Sequence, residues 1–227
     1  MAALHAPRVP VKIRLAQVLC ALAVLACGAV TAQPQVTVLE RQSFSGEELG
    51  APEAAAHRLR LAVVILEGSG WTRARAVGSL LEASTILAQC GVALERVEFH
   101  LLEVPAGSMD FSTPVARELA SAYPVAGPAV WLVRDTRARP AFDAEAIGRG
   151  NSRTRPEIAD TVWVTAAARD AGIVLAHELA HVLMDSGEHS DAEGNLMREE
   201  TSPRNRSLSA AQCERLGKKG KANGLLR

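Results

Sequence analysis

Hydrophobic residues occur in short runs separated by polar breaks, and this pattern predicts strands alternating with helices. Residues 58–66 and 92–104 are rich in aliphatic and branched side chains, which is typical of strands buried on both faces. Residues 72–89, between them, carry apolar side chains close to helical spacing and lead to Gly91. This order predicts two parallel strands joined by a right-handed connection.

Later runs extend the same alternation. Strands are predicted at residues 129–134 and 161–165, and short helices at 114–122 and 210–216. The helix that follows the strand at 161–165 is apolar on nearly every side, as is a helix buried in a core. We therefore predict an α/β (α+β) fold, in which a twisted mixed sheet of four or five strands packs against a backing helix and this buried helix.

The composition of the chain predicts its division into parts. Residues 33–57 are polar and contain glycine and proline, so we expect an irregular lead-in. Residues 58–216 form the predicted folded domain, and the basic residues 217–227 are predicted to be a solvated tail.

Residues 1–32 have the features of a secretory signal peptide. A positively charged start precedes an apolar stretch at residues 15–30, and a small-residue cleavage site ends at Ala32. Two alternatives are an uncleaved anchor and a lipoprotein attached at Cys27. Each places the domain outside the cytoplasm, in the periplasm or secreted, and cleavage after Ala32 would leave no stable membrane span.

Export would determine the state of the cysteines. Cleavage after Ala32 removes Cys20 and Cys27 and leaves Cys90 and Cys213. In an oxidising compartment we predict a disulfide between the remaining two, with two buried free thiols as the alternative.

The charge balance bears on the partners of this protein. The sequence has 25 basic and 25 acidic residues, so its net charge is zero and we expect no nucleic-acid partner. It contains no phosphate-binding glycine loop, no GxSxG motif, no paired CxxC and no internal repeat. We expect one domain that acts as a monomer.

Five residues in the buried helix carry the clearest chemical signal: His177-Glu178-Leu179-Ala180-His181, an HExxH. Positions i and i+4 share a helix face, so both imidazoles can bind one Zn²⁺ ion, with Glu178 about 100° round the helix. Glu178 could then accept a proton from an attacking water. The alternative is a core helix whose histidines only hydrogen-bond to the backbone, which would leave three buried polar side chains without a shared purpose.

With these residues the chain resembles the metzincin clan of zinc endopeptidases. The long motif of that clan is HExxHxxGxxH followed by a methionine turn, and here HELAHVLMDSGEH is followed by Asn195-Leu196-Met197. The resemblance implies that His177, His181 and His189 are the zinc ligands. It also implies that Glu178 is the general base and that Met197 forms an apolar floor beneath the metal. It also implies that residues 141–147 form an antiparallel edge strand that pairs with a peptide or protein substrate.

The spacing departs from the metzincin motif. Met184 replaces its glycine and Gly187 its third histidine, so His189 comes two residues late. A left-handed turn at Gly187 would bring His189 back towards the metal. Four acidic residues are alternative third ligands. Asp185 and Glu188 lie nearby in the sequence, and Glu199 and Glu200 are candidates by analogy with the gluzincin arrangement, in which a later glutamate is the third ligand.

We therefore predict an exported zinc metalloendopeptidase that hydrolyses peptide bonds with metal-activated water and Glu178 as general base. One alternative is a catalytically silent zinc-binding or partner-binding envelope protein. Others are a metal-free exported domain that binds a partner through its sheet edge, and a zinc hydrolase acting on a non-peptide amide such as a cell-wall cross-link.

Overall fold

A six-stranded mixed sheet organises the residues that the computed structural model describes, which are 34–52, 54–137 and 140–227. The strands are β1 (Thr37–Ser45), β2 (His57–Leu66), β3 (Val92–Glu103), β4 (Asp110–Phe111), β5 (Ala129–Val133), β6 (Asp135–Thr136), β7 (Ala144–Ile147) and β8 (Thr161–Thr165). The α-helices are α1 (Arg73–Leu87), α2 (Thr113–Ala122), α3 (Ala171–Met184) and α4 (Ala210–Ala222).

The main sheet has the spatial order β1-β3-β2-β5-β8-β7, and β4 and β6 pair separately. The four central strands run parallel to one another, while β1 and β7 lie antiparallel at the two edges. The predicted α/β fold with a mixed sheet is confirmed. The number of strands rises to six because β1 joins the sheet beside β3.

Side-chain alternation along β2 creates two hydrophobic layers. The odd-numbered residues 59–65 pack with α1 and α3 on one face, whereas the even-numbered residues 62–66 pack with α2 on the other. Successive strand side chains point to opposite faces, so an uninterrupted apolar run is buried on both. In the α2 layer, Trp131 and Trp163 stack with ring centroids 4.9 Å apart.

Helix α3 carries the HExxH and lies in the first layer, where all of its residues are buried. Its close approach to α1 depends on Gly172, because a Cβ there would lie 2.6 Å from the Cβ of Glu82. The helix ends at Asp185, whose φ of 48° is left-handed. The predicted turn at Gly187 is therefore wrong: the chain leaves the helix two residues earlier, and the Ser186 amide donates to the His181 carbonyl at 3.1 Å.

The prediction that residues 33–57 are irregular is wrong for β1. This strand pairs antiparallel with β3, and a bulge shifts the register between Val38 and Glu40. Its side chains are nearly all exposed, so main-chain pairing with β3 rather than burial holds most of the strand in place.

The C-terminal segment also differs from its prediction. Helix α4 continues past residue 216, and Gly224, with φ of 73°, turns the chain back. The two leucines that follow are buried, and Arg227 exchanges backbone hydrogen bonds with Arg58 on β2. The prediction of a solvated tail at residues 217–227 is therefore wrong, because burial of these leucines anchors the segment.

The predicted disulfide between Cys90 and Cys213 is confirmed. It joins the segment directly after α1 to the first turns of α4. The predicted signal peptide at residues 1–32, with its alternative lipid site at Cys27, lies outside the described residues. None of the helices within the described ranges has the length and apolarity needed to cross a membrane.

Candidate metal centre

Three histidine side chains converge beside α3. His177 and His181 stand one turn apart on the helix, and His189 comes from the loop that follows it. The Nε2 atom of His181 lies 2.9 Å from Nε2 of His177 and 3.3 Å from Nε2 of His189. One ring nitrogen of each residue lies within 4.8 Å of the other two. The structure thus brings together the three histidines that the sequence proposes as ligands.

Backbone carbonyls orient the two helix rings. Nδ1 of His177 lies 2.7 Å from the carbonyl oxygen of Leu196, and Nδ1 of His181 lies 2.6 Å from that of Ser186. Because a carbonyl oxygen only accepts, each Nδ1 carries the proton, and each neutral ring keeps a lone pair on Nε2. These lone pairs face one another with no hydrogen between them.

This donor set fits zinc. Tetrahedral zinc holds imidazole nitrogens at about 2.0–2.1 Å, which places two ligand atoms about 3.4 Å apart. The two Nε2 separations from His181, 2.9 and 3.3 Å, are close to that value, and the three donor atoms all lie within 4.8 Å of one another. Burial lowers the pKa of His177, and burial together with the adjacent His177 lowers that of His181 to about 4. Both rings are therefore neutral at pH 7, as a metal ligand must be.

The acidic rivals for the third position do not join this group of three within the described part of the chain. Asp185 and Glu199 line the cleft onto which the three histidines open, without entering the group. Glu188 forms an ion pair with an arginine of α4, and Glu200 lines a different surface depression. His189 is the third donor that the geometry provides.

Glu178, the residue after His177, lines the same cleft and is 9% exposed. Its carboxylate accepts a hydrogen bond from the backbone N–H of Ala146 on β7. Burial, and then the nearby charge of Glu145, raises the pKa of Glu178 to about 8. A cation held by the histidines would lower this pKa again, towards a carboxylate that can take up and release a proton near pH 7.

The histidines and Glu178 open onto a cleft of about 320 Å³. The edge strand β7 and the loop after it also line this cleft, through Ala144, Glu145, Ala146, Gly148, Gly150 and Asn151. The strand is antiparallel and at the sheet edge, as predicted, but it is shorter than residues 141–147. Acidic side chains line the cleft, and none of its described lining residues is Lys or Arg. The four acids are Glu145, Glu178, Asp185 and Glu199.

Two backbone groups belong to the site although the sequence carries no signal for them. They are the Leu196 carbonyl at His177 and the Ala146 amide at Glu178. Met197 is fully buried, and its carbonyl accepts from the Ser190 amide at 2.7 Å, which ties the turn to the loop that carries His189. Backbone groups are chemically alike at nearly every residue, so only the fold shows which of them serve the site.

No protein-family model matches the sequence, and a search of curated proteins finds no match. Among solved structures, metalloproteinase-II from Bacteroides fragilis is similar at a TM-score of 0.49 and 20% identity, over 74% of this chain and 54% of that one. Archaemetzincin (amzA) from Methanopyrus kandleri is similar at a TM-score of 0.49 and 14% identity, over 72% of this chain and 96% of that one. This chain spans about half the length of the Bacteroides structure. At these scores neither likeness assigns an activity to this chain.

Proposed function

We propose that this protein is a zinc-dependent metallopeptidase that hydrolyses peptide bonds. The observation that carries the proposal is the convergence of three imidazole Nε2 atoms beside a buried glutamate, in a cleft at a sheet edge. Histidines with only a structural role would use their polar atoms for hydrogen bonds. Here the Nε2 atoms of His177 and His181 instead face each other as acceptors.

A zinc ion bound by these histidines would supply a Lewis acid that polarises the scissile carbonyl and acidifies a water molecule to a pKa of about 7. Glu178 accepts the proton of the attacking water and delivers it to the amine nitrogen as the C–N bond breaks. The Ala146 N–H holds the carboxylate in position for both transfers. The nucleophile is water, so no covalent intermediate with the protein forms.

The outer edge of β7 is the proposed binding place for the substrate peptide. Within the described residues, β7 pairs with β8 on one side and with no strand on the other. An extended peptide can add there through main-chain hydrogen bonds and so lie along the cleft that holds the histidines. Among the described residues that line the cleft, four are acidic and none is Lys or Arg, so we expect a preference for peptides with Lys or Arg near the scissile bond.

We also propose that the protein acts outside the cytoplasm. The charged start, apolar stretch and small-residue site in residues 1–32 support export. The disulfide supports it independently, because such bonds persist in oxidising compartments.

Metal content is the first test. Elemental analysis of the purified protein should give about one zinc per chain, and His181→Ala and His189→Ala should each lose most of it. His57→Ala is the matched control, since His57 packs against Gly217 on α4, and it should keep its zinc. A parent protein that takes up no zinc even when zinc is supplied would refute the proposal.

Catalysis is tested separately with Glu178→Gln. This variant should keep zinc but lose about 10²–10⁴-fold in kcat on a mixture of fluorogenic peptides, because the proton acceptor is gone. Glu118→Gln, at an exposed position of α2, should keep full activity. Zinc binding without cleavage of any peptide would contradict the peptidase and leave a zinc-binding protein in its place.

A further inference from the structure

The carbonyl that orients His177 belongs to a turn outside any helix or named strand. Leu196 presents it, and the Leu196 amide donates to the carbonyl of Ser207 at 2.7 Å. A carbonyl on an irregular segment keeps its direction only if other contacts hold that segment. The contacts of this turn therefore determine how firmly the first ligand is oriented.

Asn195 holds the turn from within. Its side chain is buried, with the residue 7% exposed, and its Oδ1 accepts from the Met197 amide at 2.9 Å. The Met197 N–H belongs to the same peptide group as the Leu196 carbonyl, so this hydrogen bond to one side-chain amide fixes the direction of that group.

Gln212, on α4, holds Asn195 in turn. Asn195 Nδ2 donates to Gln212 Oε1 at 2.9 Å, and Gln212 Nε2 donates to Asn195 Oδ1 at 3.1 Å. Gln212 is itself fixed by the capping box with Ser209 at the start of α4. Its neighbour Cys213 is bonded to Cys90. An unbroken series of contacts thus runs from the disulfide to the metal centre.

The other helix ligand has a different, local support. His181 donates to Ser186, five residues later, at the turn that ends its own helix. Of the two helix ligands, His177 is therefore the one whose ring depends on a carbonyl from a distant turn. We propose that Asn195 and Gln212 are positioning residues for the metal centre, because their paired amides hold the Leu196 carbonyl against Nδ1 of His177. This inference rests on the proposed function, since it takes the histidines to bind zinc.

The zinc Kd of the purified protein tests the inference. Asn195→Ala removes both the turn hydrogen bond and the amide pair, and we expect Kd to rise about 10–100-fold. Gln212→Glu keeps an acceptor for the Ser209 amide but places a second acceptor against Asn195 Oδ1, so Kd should rise in the same direction. The double variant Asn195→Ala with Gln212→Ala should be no weaker than Asn195→Ala alone, because both residues act through one contact.

Asn205→Ala is the matched control. Asn205 is equally buried, at 6% exposure, and its side chain donates to the Glu200 carbonyl in the same region of the chain. It makes no hydrogen bond to the turn at Leu196 or to Gln212, so its zinc Kd should stay within about twofold of the parent value.

A spectroscopic readout separates ligand orientation from folding. Cobalt(II) in place of zinc has a visible absorption that depends on ligand geometry, and Asn195→Ala should shift this spectrum. The metal-free variant should keep the far-UV circular dichroism and cooperative unfolding of the metal-free parent. An altered spectrum with an intact fold supports the positioning role.

The outcomes distinguish the two proposals. A parent protein that binds no zinc refutes the proposed function itself. A parent that binds one zinc while Asn195→Ala binds it equally well overturns only the positioning role. Equal losses in Asn195→Ala and Asn205→Ala overturn it too, because general loosening of the loop would then explain both.

Discussion

Reduction of the Cys90–Cys213 bond should destabilise the protein by an amount that the structure allows us to work out. The bond joins residues 123 positions apart, so it restricts a very long loop in the unfolded chain. The chain-entropy relation for a loop of that length gives about 5 kcal/mol at 25 °C. Residual contacts in the denatured chain reduce this figure, so we expect a loss of about 3–5 kcal/mol in the free energy of unfolding.

Urea unfolding followed by tryptophan fluorescence measures this loss, because all three tryptophans are buried. Oxidised and reduced protein are compared in the presence of a chelator, so that the reductant cannot act through bound metal. Cys90→Ala with Cys213→Ala is the control, and its unfolding midpoint should not respond to the reductant. A difference below about 1 kcal/mol between oxidised and reduced parent protein would refute the loop-entropy reasoning.

Three further predictions concern packing, charge and substrate choice. Gly172→Ala should lower the free energy of unfolding by about 1–3 kcal/mol, because the new Cβ would collide with Glu82. The control Gly78→Ala, with open space on α1, should raise it by about 0.5–1 kcal/mol in the same urea experiment. The Arg134 guanidinium lowers the pKa of Asp110 below its unfolded value, so their pair stabilises the fold above about pH 4 and less as pH falls through the folded pKa. Asp110→Asn should therefore cost up to about 1 kcal/mol at pH 7, with a difference from the parent that shrinks in unfolding at pH 3. Peptides with Lys or Arg beside the scissile bond should have higher kcat/KM than matched Asp or Glu peptides, and equal values would contradict the charge argument.

Burial determines how much of this fold can be predicted from the sequence. Strand β2 is buried on both faces, and its uninterrupted run of apolar residues therefore predicts it from the sequence. Strand β1 is almost wholly exposed, so its residues carry no such run, and pairing with distant β3 decides its conformation. The burial of the last two leucines could not be predicted either. They follow a polar helix in the sequence, and their burial depends on the turn at Gly224.

Part of the candidate site could likewise be predicted from the sequence, and part of it could not. His177, Glu178 and His181 follow from helical spacing alone. The approach of His189 depends on a left-handed turn at Asp185, a residue type that adopts this conformation only occasionally. The side-chain amides of Asn195 and Gln212 pair across 17 residues of chain. No periodic sequence pattern predicts such a pair, so only the folded structure reveals it.

The two outer edges of the sheet that the described residues form differ in their openness to another chain. On β1, the bulge after Val38 breaks the regular ladder, and Glu40 and Arg41 place opposite charges on the exposed strand. Bulges and charges of this kind oppose edge-to-edge aggregation. On β7 no bulge interrupts the pairing with β8, and Ala144 and Ala146 are small residues that obstruct little of the edge. We therefore expect self-association to be disfavoured at β1, while β7 offers an incoming peptide the outer-edge backbone groups other than the Ala146 N–H, which bonds to Glu178.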